Sequence, residues 1–260
     1  MRRCQRHLRL MVDRLDRTQV TIRELVAESQ VRACLELQKT VWQGAELDIV
    51  PHHIFLVAQR IGGQVLGAFD HDRMIGFLLA FPGLRPGRVY LHSHMTAVLP
   101  SYQNQGVGRQ LKLAKRTDAL ARGIALIEWT FDPLQLRNAY FNIVRLGAVV
   151  GQYLPNAYGQ TTSSLDAGLP TDRLVARWWI SEPRVQQILD GHTPHEGKAA
   201  QRIRLSKRIR EVCQTDPEQA RQIQLHLRTA FEELFKKPFV VTGFELREDY
   251  AVYVLEKYEN

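Results

Sequence analysis

Ser101–Leu111 reads SYQNQGVGRQL, and Gly106 and Gly108 near its centre stand one residue apart. Glycine has no Cβ, so the chain can turn sharply there and bring several backbone N–H groups toward one point. The residues after Gly106 repeat at helical spacing, and a helix start adds unpaired N–H groups and a positive dipole end. Such a place holds a phosphate or pyrophosphate, with Arg109 or Lys112 at hand for charge. The same letters also serve as a plain strand-to-helix turn that binds nothing. Two nucleotide motifs are excluded. A dinucleotide loop needs a third glycine where Leu111 stands, and the phosphate-loop string G-x-x-x-x-G-K-[ST] occurs nowhere in the chain.

Proton chemistry has few candidates. By alternation His92 and His94 share a strand face with Tyr90 and Thr96, and Glu128 shares a face with Thr130 and Asp132. A carboxylate inside the apolar run IALIEWTF is costly unless it is paired or used. Two readings stay open for Glu128: an ion pair with His94 or an arginine that satisfies the sheet, or a share in catalysis. Ser93 beside His94 lacks a nucleophile elbow, which argues against covalent catalysis. His52-His53 and His192-x-x-His195 have no partner cluster and fall in polar, loop-like segments, so no metal site is expected. Asp172 and Arg173 are weaker candidates for substrate contacts, and Trp178-Trp179 reads as core or interface.

The elements that must position these residues follow from periodicity. Residues 19–25 read as a strand and 27–43 as a helix. Residues 64–69 and 74–81 form a hairpin around the polar turn DHDR, and 89–98 form the strand that enters the glycine loop. Val107, Leu111, Ala114 and Ala121 mark a helix that ends at Gly123. A strand at 124–133, a helix through 136–146 that ends at Gly147, and strands at 148–154 and 171–180 follow. Residues 181–200 read as a linker or lid. Asp216-Pro217-Glu218-Gln219 opens a helix with a cap, a first-turn proline and a capping-box Gln. Residues 239–246 and 250–256 close as a hairpin.

A chain of 260 residues with 45% hydrophobic residues buries a core in one large or two smaller domains. No apolar run is long enough to span a membrane. Cys4, Cys34 and Cys213 are scattered, which fits a reducing cytoplasm without disulfides. The net charge of +8 is spread along the chain, and RIRLSKRIR (202–210) alternates as a solvated amphipathic face, so nucleic acid is not the expected partner. Residues 1–17 read as a basic arm too short in apolar residues for a secretory signal, with Met11 as an alternative start.

The run Val98-x-Pro100-x-Tyr102-Gln103-x-x-Gly106-x-Gly108 resembles the acetyl-coenzyme A signature of the GNAT acetyltransferase superfamily. There V-x-P-x-Y is followed by Gln or Arg, two residues, Gly, one residue, then Gly or Ala. The order of elements over residues 18–180 is similar to that fold too, and EWTFDPLQLRNAYFNIVRLGAV resembles a predicted-acetyltransferase branch with a C-terminal extension.

The resemblance implies an α+β fold: a mixed, mostly antiparallel sheet flanked by helices. Residues 18–180 would form the acyl-CoA-binding domain, and 181–260 an α/β extension acting as a lid or completing the sheet. It also implies that Ala97 and Val98 pair with the pantetheine arm. Gln103, Asn104, Gln105, Gly106, Val107, Gly108 and Arg109 would hold the pyrophosphate, and Asn138 would contact the pantetheine or a bound water. A backbone N–H near Val98 would stabilise the oxyanion. The tyrosine acid common in the family falls on Ile143 here, with Tyr140 a weak substitute, so the acid is unassigned.

An ammonium acceptor, with a pKa of about 10.4, must lose a proton before it attacks, which gives His94 and Glu128 their candidate catalytic roles. The expected activity is transfer of an acetyl group from acetyl-coenzyme A to a primary amine, without a metal, a membrane or nucleic acid, and compatibly with a homodimer. A non-catalytic acyl-CoA-binding or regulatory module is the alternative.

Overall fold

The computed structural model of the protein describes residues 20–42, 49–159, 168–192 and 201–257. The N-terminal arm, Cys4 and His195 lie outside them. The described chain divides into two units. The first takes residues 20–41, 49–82 and 93–118; the second takes 42, 83–92 and 119–257. Strands β3 (Arg73–Arg85) and β4 (Arg88–Val98) contribute to both.

In the first unit the strand order is β1 (Val20–Glu24), β2 (Gln64–Asp70), β3, β4. Antiparallel register runs from Val20↔Asp70 and from Gln64↔Ala80, as the alternation predicts. Helix α1 (Glu28–Trp42) buries Val31, Cys34 and Leu37. Helix α2 (His52–Arg60) occupies a segment whose letters suggested a loop, so His52 and His53 open a helix. The i, i+3 pair Phe55 and Ala58 is its buried stripe, and Phe55 meets Phe77 edge-on at 5.6 Å. Helix α3 (Val107–Ala121) seats Val107 and Leu111 in a core with Ala68, Ile75, Leu78 and Ala80. Val98, Leu99 and Tyr102 pack against that cluster, so both flanks of the glycine loop are anchored.

The second unit carries the order β4, β5 (Leu126–Phe131), β7 (Arg173–Trp179), β6 (Val149–Leu154), β9 (Phe239–Leu246), β10 (Tyr250–Lys257), β8 (Gln201–Ser206). The β4–β5 pairing, Leu91↔Ile127 and His92↔Glu128, is parallel. The pairings β5–β7, β6–β7, β6–β9, β9–β10 and β8–β10 are antiparallel. The fold is thus α+β, with a mixed, mostly antiparallel sheet.

Alternation sorts this unit's side chains. Leu91, Ile127, Trp129, Phe131, Leu174, Ala176 and Trp178 are buried on one face. The Trp178 indole N–H donates to Leu146 O at 2.6 Å, which satisfies the polar handle of a fully buried ring. His92, Glu128, Arg177 and Thr130 follow the opposite phase.

Helix α4 (Leu136–Ala139) widens into a π-helical turn over Tyr140–Arg145, with Leu146 N on Phe141 O at 3.1 Å. Part of the expected linker is helix α5 (Pro183–Leu189), followed at 201 by β8 and then α6 (Ile209–Thr215). Helix α7 (Pro217–Phe235) starts as the capping letters require, with Gln219 N donating to Asp216 Oδ1 at 3.0 Å. Its Phe231 stacks on Tyr153 at 5.8 Å and meets Tyr253 edge-on at 5.2 Å.

Candidate active site

The glycine loop is built by strand β4 leaving the sheet. Leu99 N donates to Ile75 O at 2.9 Å, and Pro100–Tyr102 then makes a single 3-10 turn closed by Tyr102 N on Leu99 O at 2.8 Å. Proline suits that first position because its missing N–H and fixed φ cost nothing there. The Tyr102 hydroxyl donates to Asp70 Oδ2 at 2.6 Å, and this bond is the leading reason the Asp70 carboxyl lies below its ordinary range.

Side chains also tie the loop to itself. Gln103 Nε2 donates to Val98 O at 3.0 Å, and Gln105 Nε2 to Ser101 O at 2.7 Å. Two residues take left-handed backbone, Asn104 at φ 61 and Gly106 at φ 88. Asparagine tolerates that region, whereas Gly106 has open space within 4 Å of where a Cβ would stand. Gln110 N closes the first helical bond on Gly106 O at 3.0 Å, so α3 begins at the glycine. Gln103–Gly106 are exposed, and the first N–H groups of α3 have no carbonyl within the helix. Those residues therefore fit an oxyanion group: the backbone turns, helix-start N–H groups follow, and no side chain fills the space where a Gly106 Cβ would stand.

Ala97 is buried and Val98 half-buried at the end of β4. His94, three residues earlier, is exposed on one side while its ring packs edge-on against Phe81 at 5.5 Å. Partial desolvation pulls its pKa below the ordinary histidine value.

Lys112 does not reach the loop. It turns inward, and its Nζ donates to the buried Ser93 Oγ at 3.2 Å. Burial lowers its pKa to about 7, with a hydrogen bond from the Lys112–Lys115 pair partly restoring it. Lys115 is fully buried and held well below the lysine range by burial and then by Lys112. Lys115 lies four residues from both Leu111 and Ala119, so the apolar stripe of α3 contains the clue to its burial.

The second unit holds Glu128 and Asn138. Glu128 is buried at 3% exposure, with Arg85 Nη2 donating to its Oε2 at 2.7 Å and Arg177 Nε to its Oε1 at 3.2 Å. Arg177 Nη2 also reaches Gln152 Oε1 at 3.4 Å. Neither arginine was singled out by the sequence; the unpaired-charge argument at Glu128 required such a partner without naming it. Asn138 is exposed on α4, while Ile143 is buried at 1% exposure in the π turn.

Asp172, read from sequence as a substrate contact, is instead a buried anchor. It accepts from Tyr153 Oη at 2.7 Å, Asn156 N at 2.9 Å, and Arg228 Nε and Nη2 at 2.9 and 2.8 Å. Its neighbour Arg173 places its guanidinium 5.5 Å from the Tyr158 ring centre.

The model of the Acetyltransferase (GNAT) family matches residues 29–141. Among solved structures, the ribosomal-protein-S18-alanine N-acetyltransferase from Escherichia coli is 17% identical with a TM-score of 0.50, over 63% of this chain and 96% of its own. The aminoglycoside 6'-acetyltransferase type Ii is 20% identical with a TM-score of 0.50, over 62% and 98%. An N-acyl amino acid synthase from uncultured soil microbes is 13% identical with a TM-score of 0.50, over 63% and 92%. These likenesses show a shared fold. No curated protein matches the sequence. The family match spans the glycine loop, and residues 29–141 are accordingly a GNAT acetyltransferase domain.

Proposed function

We propose that the protein moves an acetyl group from acetyl-coenzyme A to a primary amine by direct attack on the thioester. The observation that carries this is the loop from Gln103 to Arg109: glycine at φ 88, open space above it, and a helix start immediately after. When bound, acetyl-coenzyme A supplies an activated acyl group. In this reading Gln103, Asn104, Gln105, Gly106, Val107, Gly108 and Arg109 hold its pyrophosphate. The backbone of Ala97 and Val98 pairs with the pantetheine arm in the manner of an added strand. Asn138 adds a polar contact.

Two side chains are candidates to take the amine proton. His94 suits the role better, because its exposed ring is uncharged at neutral pH and accepts a proton directly. Glu128 has both oxygens already engaged by guanidiniums. The leaving thiolate has no assigned acid, since the tyrosine common in the family is replaced by the buried Ile143. That replacement favours a second reading, an acyl-CoA-binding module without turnover.

The deciding experiment is calorimetry with acetyl-coenzyme A, followed by a panel of amines scored by free thiol release. Binding with turnover supports transfer, binding without turnover supports the module, and no binding refutes both.

A further inference from the structure

Strands β4, β5, β6 and β7 together contain a single acidic residue, Glu128. Against it the second unit sets two guanidiniums. Arg85 and Arg177 both donate to Glu128. One carboxylate thus faces two guanidiniums.

Satisfying Glu128 alone calls for less than this. A single fork pairs a carboxylate bidentately, as Arg228 pairs Asp172 in the same unit. At Glu128 the pairing is divided instead, one oxygen to each arginine. Each fork thereby spends part of its donor set on Glu128 and retains further N–H groups. The Arg85 side chain remains 42% exposed while Glu128 beneath it is 4% exposed. Tyr90 lies under the same guanidinium at 5.1 Å, which limits its orientations. A buried anion thus holds two guanidiniums in place, and the more exposed of them presents an oriented cationic fork to solvent. Planar forks of this kind match the oxygens of carboxylates and phosphates.

We propose that Arg85 and Arg177, braced by Glu128, bind an oxyanion carried by the acceptor, so that the acceptor is an amine bearing a carboxylate or phosphate. This rests on the acetyl-transfer reading above and narrows its acceptor class. Glu128 is then a positioning residue.

The test compares acceptors in matched pairs: each α-amino acid beside its amide, and phosphoethanolamine beside ethanolamine, with rates from thiol release. The anionic member of at least one pair should be preferred by about tenfold or more in kcat/KM. Arg85→Gln should raise KM for that member about tenfold and by a clearly smaller factor for the neutral member, and Arg85→Lys should recover part of the loss. A parallel calorimetric arm titrates acetate and inorganic phosphate at constant ionic strength into wild type and Arg85→Gln. Binding that weakens in the variant supports the site and shows which oxyanion it favours. Equal use of acid and amide by an enzyme that turns over acetyl-coenzyme A overturns this inference and leaves the transfer reading intact. If acetyl-coenzyme A fails to bind, the transfer reading falls, and anion binding that is absent or insensitive to Arg85→Gln overturns the site separately.

Discussion

Lys112 Nζ donates to Ser93 Oγ at 3.2 Å, and both side chains are buried between α3 and β4. Burial of the ammonium lowers its pKa from 10.5 to about 7. The sign of the pH effect follows. Between about pH 7 and 10.5 the unfolded chain binds this proton and the native chain does not, so stability rises with pH across that window. Below pH 7 both states are protonated and the gain ends. Lys112→Met should remove a slope of up to about 1.4 kcal/mol per pH unit from urea-unfolding free energies measured between pH 7 and 10. Parallel slopes for the two proteins would show that Lys112 titrates normally.

Gly106 at φ 88 predicts a functional cost larger than its structural one. Gly106→Val places a β-branched residue in the left-handed region, a strain of about 1–3 kcal/mol. It also puts a side chain into the space open to a ligand. Calorimetry should show at least tenfold weaker binding of acetyl-coenzyme A, with a thermal midpoint lowered by only a few degrees. Unchanged affinity would remove the loop from the binding site.

His94 carries a prediction about rate. Because desolvation lowers its pKa, it stays a proton acceptor to below pH 6.5, its ordinary value. The acidic limb of kcat/KM should therefore fall below that pH, and His94→Gln should lower kcat by about 10²-fold or more. If His94→Gln retains full rate, His94 is not the base.

Asp172 tests an anchor rather than a site. Asp172→Ala leaves Arg228 without its carboxylate and Tyr153 Oη without its acceptor, at a cost of about 3–5 kcal/mol. Chemical denaturation should register that loss. Coenzyme affinity in protein that remains folded should be close to wild type.

How much of this was legible depended on how far apart the cooperating residues lie. The glycine loop was readable because its dihedral demands and its letters occupy the same few positions. The cap at Asp216 and the hairpin of β9 and β10 were readable for the same reason. The clamp on Glu128 was not, because its arginines lie 43 and 49 residues away in sequence and converge only in the folded sheet. The helix over 52–60 was missed because its paired histidines masked a short stripe of two buried residues. Lys112 was misread because a lysine beside a phosphate-like loop suggests a solvent-facing cation, whereas α3 turns it toward Ser93. The π turn at Tyr140–Arg145 shifts its neighbours by one residue, which a period of 3.6 does not reveal.

Strand β6 has a neighbour on each side, β7 and β9, and Tyr253 of β10 donates to Pro133 O at 2.6 Å. The region outside the family match is therefore no detachable appendage. Cutting the chain after residue 180 would expose β6 as a bare edge, take Phe231 from Tyr153 and take Arg228 from Asp172. Such a fragment would be prone to aggregate, so dissection of this protein calls for point substitutions in the full chain rather than expression of its first two thirds.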